Sequence, residues 1–100
     1  MSNSYQTETV DLIRNLGFSD EYVVSEIVDH FMNDWQREDF FEFLLLEYDL
    51  EDSIESIDDL DEFYQVTQVT PSELFDTLSV YLSEDELDEY YVELEKEADN

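Results

Sequence analysis

The most conspicuous shortage in this sequence is positive charge. Among 100 residues there are 30 Asp and Glu but only three Lys and Arg, which gives a formal net charge of −27 at pH 7. A gene biased toward A and T would favour Lys codons, so base composition does not explain the missing lysines. A surface this anionic repels nucleic acid phosphates and anionic lipid head groups, so we expect neither direct nucleic-acid binding nor membrane binding.

Other residue types are also scarce or missing. The chain has no Cys, which excludes a disulfide framework, a cysteine metal site and a thiol nucleophile. Gly17 and Pro71 are each the only residue of their type, so flexible turns are few. No apolar run approaches the ~20 residues that span a bilayer, and the polar start MSNSYQTETV is unlike a signal peptide. These features predict a cytoplasmic protein.

The residues that are present predict a folded chain. Strong self-repulsion usually marks disorder, because too little apolar surface is available to offset the ordering cost. Here 42% of residues are hydrophobic and 15% are aromatic, and they are interleaved with the acids. We therefore predict one folded domain over residues 1–100 with an acidic surface.

Helix-start and helix-end signals divide the chain into short segments. Apolar residues recur at helical spacing over residues 5–16, and Gly17 stands where a left-handed residue would end that helix. Residues able to accept a backbone hydrogen bond as N-caps precede five later stretches: Ser19, Asn33 with Asp34, Ser56, Thr70 and Ser83. Thr70-Pro71 and the Ser83–Glu86 capping box are the clearest helix starts.

Two further stretches bear on the predicted fold class. The run FFEFLLLEY at 40–48 predicts a buried central helix. The run QVTQV at 65–69 has strand-like spacing, but no convincing partner strand exists. We predict an all-α fold, a compact or slightly elongated bundle of five to six short helices.

An acidic-aromatic pattern recurs along the chain. SEDELDEYY at 83–91 repeats SIDDLDEFY at 56–64, with looser echoes in DEYV at 20–23 and EDFF at 38–41. Helix capping and an inward apolar stripe explain most of the repeat. They do not explain the outward faces, where a typical helix places Lys four residues after Glu and this chain places more acids.

Catalytic and metal-binding chemistry find little support. With so many carboxylates, a pair resembling an acid-base dyad carries no specificity, and His30 is the only histidine. An EF-hand loop counted from Asp49 would put Ile54 at the required glycine and Leu60 at the required glutamate. We predict no enzymatic activity, no metal site and no cofactor. Residues 60–78 resemble a helix-turn-helix in spacing, yet they contain four acids and no Lys or Arg.

The whole chain resembles the DNA-mimic inhibitors of phages and mobile elements, which include anti-restriction and acidic anti-CRISPR proteins. The resemblance is one of composition: small size, near absence of Lys, acidic helix faces and a Tyr- and Phe-rich interior. It implies a basic nucleic-acid-binding partner such as a restriction enzyme, Cas effector, nuclease, recombinase, polymerase or nucleoid protein. The alternatives are an acidic adaptor or inhibitor without DNA-like geometry, and adaptation to high salt. The bulky apolar content and single Ala argue against adaptation to high salt.

The mimic interpretation predicts that outward acids contact the partner and lie in two roughly parallel rows, with raised pKa values where they crowd. The candidate contact residues are Glu38, Asp39, Glu51, Asp52, Asp58, Asp59, Asp61, Glu62, Glu84, Asp85, Asp88, Glu89 and Glu93. Trp35 is either an exposed aromatic anchor for the partner or a member of a core aromatic cluster. A homodimer is left open.

Overall fold

Six α-helices account for most of the described chain. A computed structural model describes residues 4–50, 57 and 59–99, with residues 4–7 described by their backbone alone. The helices are α1 (Ser4–Arg14), α2 (Asp20–Glu26), α3 (Asp34–Glu47), α4 (Leu60–Thr67), α5 (Pro71–Tyr81) and α6 (Glu84–Ala98). Within these residues there is no strand, so the predicted all-α fold is confirmed.

Four of the predicted N-caps form as expected. The side chains of Ser19, Asn33, Thr70 and Ser83 each accept a hydrogen bond from the backbone N–H three residues later. At Ser83 the box is complete, because Oε1 of Glu86 accepts the backbone N–H of Ser83 at 3.1 Å. Local hydrogen bonding therefore fixes where α2, α3, α5 and α6 begin.

The predicted start of the fourth helix is wrong. α4 begins at Leu60, and its N-cap is Asp59, which is extended (φ −142°, ψ 136°) and accepts the backbone N–H of Asp61 at 3.1 Å. Ser56 lies outside the described residues. Ile57 is only 3% exposed. Because residue 57 is not helical, the side chain of Ile57 can reach the core. Asp59, which is closer in sequence than Ser56 to the buried Leu60 and Phe63, caps the helix.

Two connections follow the sequence closely. Gly17 is left-handed (φ 98°) as predicted, although α1 ends at Arg14 and a turn over 15–17 completes the connection. The QVTQV stretch forms no strand: Gln65–Thr67 complete α4, and Gln68 closes it in the left-handed region (φ 61°). α4 and α5 are thus separated by three residues, as the resemblance to a helix-turn-helix suggested.

A π-helical turn over Ile27–Phe31 extends α2. The backbone N–H of Met32 donates to the carbonyl of Ile27 at 2.8 Å, five residues back. Ile27 and Val28 are fully buried, whereas Asp29 and His30 face solvent. The wider turn keeps the buried face of α2 continuous and directs two titratable side chains outward.

All six helices contribute to one hydrophobic cluster. α2 packs along α5 and α1 along α6, and the largest fully buried side chains are Phe40, Phe63 and Phe75. The described acids remain at the surface, where only Asp20, Glu26, Glu86 and Glu97 are half-buried. The molecule measures 41 × 33 × 24 Å, which is slightly elongated. Every helix within the described ranges is too short and too polar to cross a bilayer.

Candidate protein-binding surface

The first turns of α3 and α6 lie side by side. Nε2 of Gln36 in α3 donates to Oε2 of Glu86 in α6 at 2.7 Å. The hydroxyl of Tyr81, the last residue of α5, donates to Oδ2 of Asp39 at 2.6 Å. We call the exposed acids of these adjoining segments the α3–α6 acidic face: Asp34, Glu38, Asp39, Glu84, Asp85 and Glu89. Five of these six are residues that the sequence predicted as partner contacts.

Trp35 projects from the same end of α3. Its side chain is 72% exposed, the highest value among the exposed large hydrophobic residues. Trp35 precedes the buried Phe40 by five positions, which places it roughly 140° away around the helix from the core-facing side. Phe40 and Phe41 are buried and Phe43 and Tyr48 are half-buried, so the aromatic cluster exists without Trp35. Of the two roles that the sequence left open for Trp35, membership of the core cluster is therefore excluded.

A second group of acids lines a pocket between α2 and α4. The pocket has a volume of about 320 Å³, and its carboxylates are Glu21, Asp29, Asp59 and Asp61. The hydroxyl of Tyr64 in the pocket wall is buried and has no hydrogen-bond partner among the described residues. Burial raises the pKa of Tyr64 to about 12, with repulsion from Glu21 and Asp61 adding to it.

This acidic pocket combines predicted and missed residues. Asp59 and Asp61 were predicted from the second acidic-aromatic repeat, whereas Glu21 and Asp29 were not selected. The signal for Glu21 was present in the weaker DEYV echo at 20–23. Asp29 had no such signal, because the π-helical turn that directs it outward departs from regular helix spacing.

The remaining predicted contacts are divided among other places. Asp88 accepts a hydrogen bond from Oγ1 of Thr9 at 2.9 Å and so ties α6 to α1. Glu93 pairs with Lys96 at 3.6 Å. Glu62 is exposed on α4. Glu51, Asp52 and Asp58 lie outside the described residues. The thirteen predicted acids therefore do not gather into one site, and the α3–α6 acidic face holds the largest described share of them.

Every basic side chain of the sequence is engaged with carboxylates. Arg14 contacts Asp20 at 3.4 Å and Asp76 at 3.2 Å, and its guanidinium lies 5.0 Å from the centre of the Phe75 ring. Nη2 of Arg37 lies 3.3 Å from Oδ1 of Asp29. Since Lys96 pairs with Glu93, no Lys or Arg is left to neutralise the α3–α6 acidic face.

Two carboxyl groups meet between α2 and α6. Burial raises the pKa of Glu26, and hydrogen bonding and repulsion from Glu97 raise it further. The hydroxyl of Tyr22 donates to Oε1 of Glu97 at 2.6 Å, and Nε2 of His30 lies 3.6 Å from Oε2 of Glu26. Glu26 and Glu97 are not among the outward acids for which the sequence predicted raised pKa values, and burial contributes more to the raised pKa of Glu26 than like charge does.

No group of His and acidic side chains within the described residues has the arrangement of a metal site. No protein-family model, curated protein or solved structure matches the chain.

Proposed function

We propose that this protein is a non-catalytic inhibitor that mimics duplex DNA and occupies the nucleic-acid-binding site of a basic protein in the cytoplasm. The partner classes are those of host defence and DNA processing: a restriction enzyme, Cas effector, nuclease, recombinase, polymerase or nucleoid protein. The observation that carries the proposal is the α3–α6 acidic face, an array of exposed carboxylates that no Lys or Arg neutralises.

Charge density and size support the proposal. Duplex DNA carries one charge per ~1.7 Å of axis, so the net charge of −27 corresponds to about 46 Å of duplex. The longest dimension of the protein is 41 Å. The protein therefore offers about the charge that a duplex of its own length offers to a cationic cleft.

Local spacing supports it as well. Glu38 and Glu42 are separated by one helical turn on α3, as are Asp85 and Glu89 on α6, and all four are exposed. Side chains at this spacing are ~5–6 Å apart at Cβ, comparable with phosphates along a DNA strand. Carboxylates mainly speed association with a basic partner and disfavour partners of the wrong charge. Trp35 adds a contact that a generic polyanion lacks.

The exposed Trp35 also favours a second candidate, an acidic adaptor or inhibitor that binds a basic protein patch without DNA-like geometry. An aromatic anchor in a partner pocket contributes to affinity whatever the layout of the surrounding acids. The two candidates differ in one measurable respect. A mimic and duplex DNA exclude each other from the partner, whereas an adaptor that binds elsewhere leaves the DNA site accessible.

Competition with duplex DNA tests the proposal. The immobilised protein is incubated with a lysate of its source cells, and bound proteins are eluted with a duplex of about 14 base pairs or with rising salt. The captured protein is then purified and titrated against the inhibitor, with the fluorescence of Trp35, the only Trp of the chain, as the signal. We expect the duplex to displace the inhibitor and affinity to fall as salt rises. A captured partner that binds inhibitor and duplex simultaneously would refute mimicry and leave the adaptor.

A matched pair of variants locates the contact. Neutralising Glu38, Asp85 and Glu89 as Gln, Asn and Gln removes three charges from the α3–α6 acidic face. Neutralising Glu8, Asp11 and Asp99 in the same way removes three exposed charges elsewhere. We expect the first triple variant to lose about tenfold or more in affinity and the second to lose much less. Trp35→Ala should cost about thirtyfold, the scale of a hot-spot residue. Equal losses in the two triple variants would contradict a localised contact.

A further inference from the structure

A groove between α3 and α5 shares no residue with the α3–α6 acidic face or with the acidic pocket. It has a volume of about 360 Å³, roughly twelve times the ~30 Å³ that one water occupies in the liquid. Its wall is formed by Phe43, Tyr48, Thr77 and Val80. Val80 is 64% exposed. The α3–α5 groove thus presents apolar surface with room for one bulky side chain.

Side-chain contacts hold its two walls in place. The ring of Phe43 lies 5.1 Å from that of Tyr81, centre to centre. The hydroxyls of Tyr48 and Thr77 are 2.8 Å apart, and Thr77 donates to the backbone carbonyl of Glu73 at 3.2 Å. Because aromatic rings and this hydrogen-bond chain bridge the helices, the groove is a preformed feature, and binding does not have to open it.

The rim of the α3–α5 groove is anionic. Glu47 and Asp76 border it, one from each helix. Burial raises the pKa of Tyr48, and repulsion from Glu73 and Glu47 adds to the rise. Asp76 is paired with Arg14 at 3.2 Å, whereas Glu47 and Glu73 have no basic partner among the described residues.

We propose that the α3–α5 groove docks a segment of a partner protein in which one bulky aliphatic or aromatic side chain is flanked by Lys or Arg. The apolar wall receives the bulky side chain, and the carboxylate of Glu47 at the rim, which has no basic partner among the described residues, receives a flanking cation. A second copy of this chain is a poor occupant, because each copy carries a net charge of −27. The inference rests on the proposed function, which supplies a basic partner, and it adds an apolar anchor point besides Trp35.

Two short peptides test the groove directly. The first is Lys-Arg-Gly-Leu-Gly-Arg-Lys with blocked ends, and the second has Ser in place of Leu. Each is titrated into isotope-labelled protein at low salt while backbone amide resonances are followed. We expect the Leu peptide to shift the amides of Phe43, Thr77 and Val80 and to bind about fivefold more tightly than the Ser peptide, which matches partial burial of one aliphatic side chain.

A matched pair of variants separates the groove from general charge attraction. Val80→Ser removes apolar surface from the groove, and Val66→Ser makes the same change on α4, where Val66 is 49% exposed. Val80→Ser should remove most of the preference for the Leu peptide without changing the affinity for the Ser peptide. Val66→Ser should change neither.

Four results would overturn the inference. Equal affinities for the two peptides would show that the groove does not bind the Leu side chain. Binding driven by charge, and with it the proposed function, would be unaffected. Failure of both peptides to bind would contradict the proposed function as well. Groove resonances that shift with protein concentration alone would assign the groove to a second copy. Groove resonances that shift in Ile54→Ser without peptide would assign it to residues 51–56 of this chain.

Discussion

Replacing Glu26 with Gln tests the carboxyl pair between α2 and α6. The Glu26 side chain is only 17% exposed, and Glu97 both bonds it and repels it. The Tyr22 hydroxyl already donates to Glu97, so both carboxyl groups are held in position. An amide at position 26 can donate to Glu97 at any pH, whereas the native side chain must first take up a proton. We therefore expect Glu26→Gln to stabilise the protein at neutral pH.

The direction of this change in stability follows from the raised pKa of Glu26, and its size follows from the hydrogen bond that the amide gains. Because the pKa of Glu26 is higher in the folded than in the unfolded state, folding binds a proton in the interval between the two values. The stability from this group is complete below the unfolded value of 4.5 and is lost as pH rises through the folded value. An amide hydrogen bond contributes a net ~0.5–1.5 kcal/mol, and losing the His30 contact costs a few tenths. The gain should be about 1 kcal/mol, or roughly 4–8 °C in melting temperature.

The assay is thermal and urea unfolding followed by circular dichroism, from about pH 5 to about pH 8. This range stays above the sequence pI of about 4.1, near which low net charge favours precipitation. Glu38→Gln is the control, since it removes one charge from an exposed site. The gain in stability of Glu26→Gln over the wild type should grow with pH, and it should exceed the gain of Glu38→Gln. An equal effect of the two substitutions at neutral pH, or a destabilised Glu26→Gln, would show that the amide at position 26 gains no hydrogen bond to Glu97.

Two further predictions concern the caps and the net charge. Ser83→Ala removes the hydrogen bonds that the Ser83 hydroxyl makes with Glu86, keeps the one from the backbone N–H of residue 83, and should lower the free energy of unfolding by about 1 kcal/mol in urea denaturation, while Ser72→Ala, at an exposed position in the first turn of α5, should change it little. The melting temperature should rise between about 10 mM and about 500 mM NaCl because screening relieves repulsion among the surface acids, and an unchanged melting temperature would mean that repulsion is offset locally.

Much of the fold was predictable because its signals are local. Ser19, Asn33, Thr70 and Ser83 cap helices through bonds that span three residues, so the sequence around each position contains all the necessary information. The start of α4 was mispredicted because Ser56 and Asp59 both have cap chemistry. The choice between them depends on the burial of Ile57, which is a tertiary contact. The π-helical turn after Glu26 was missed for a similar reason, since no residue type specifies it.

The candidate surface was less predictable. Helical periodicity identified outward acids such as Asp85 and Glu89 correctly, because orientation within one helix follows from spacing. Which helices lie next to each other does not follow from the spacing of residues. The contact of Gln36 with Glu86, which joins the two halves of the α3–α6 acidic face, spans fifty positions in sequence. Likewise, the cluster of aromatic residues at 35–48 could not reveal whether Trp35 was buried or exposed, since both roles favour the same residue type.

The hydrogen bonds that tyrosine makes to acids have a consequence for how this surface keeps its charge. Tyr22 bonds Glu97, Tyr81 bonds Asp39, and Tyr91 bonds Glu95. A lysine in any of these places would restrain the carboxylate and cancel its charge at the same time. A neutral phenol restrains the carboxylate and leaves the full negative charge directed at solvent. Many tyrosines and few lysines thus have one combined effect: tyrosine hydroxyls orient the carboxylates, and few lysines are present to neutralise them.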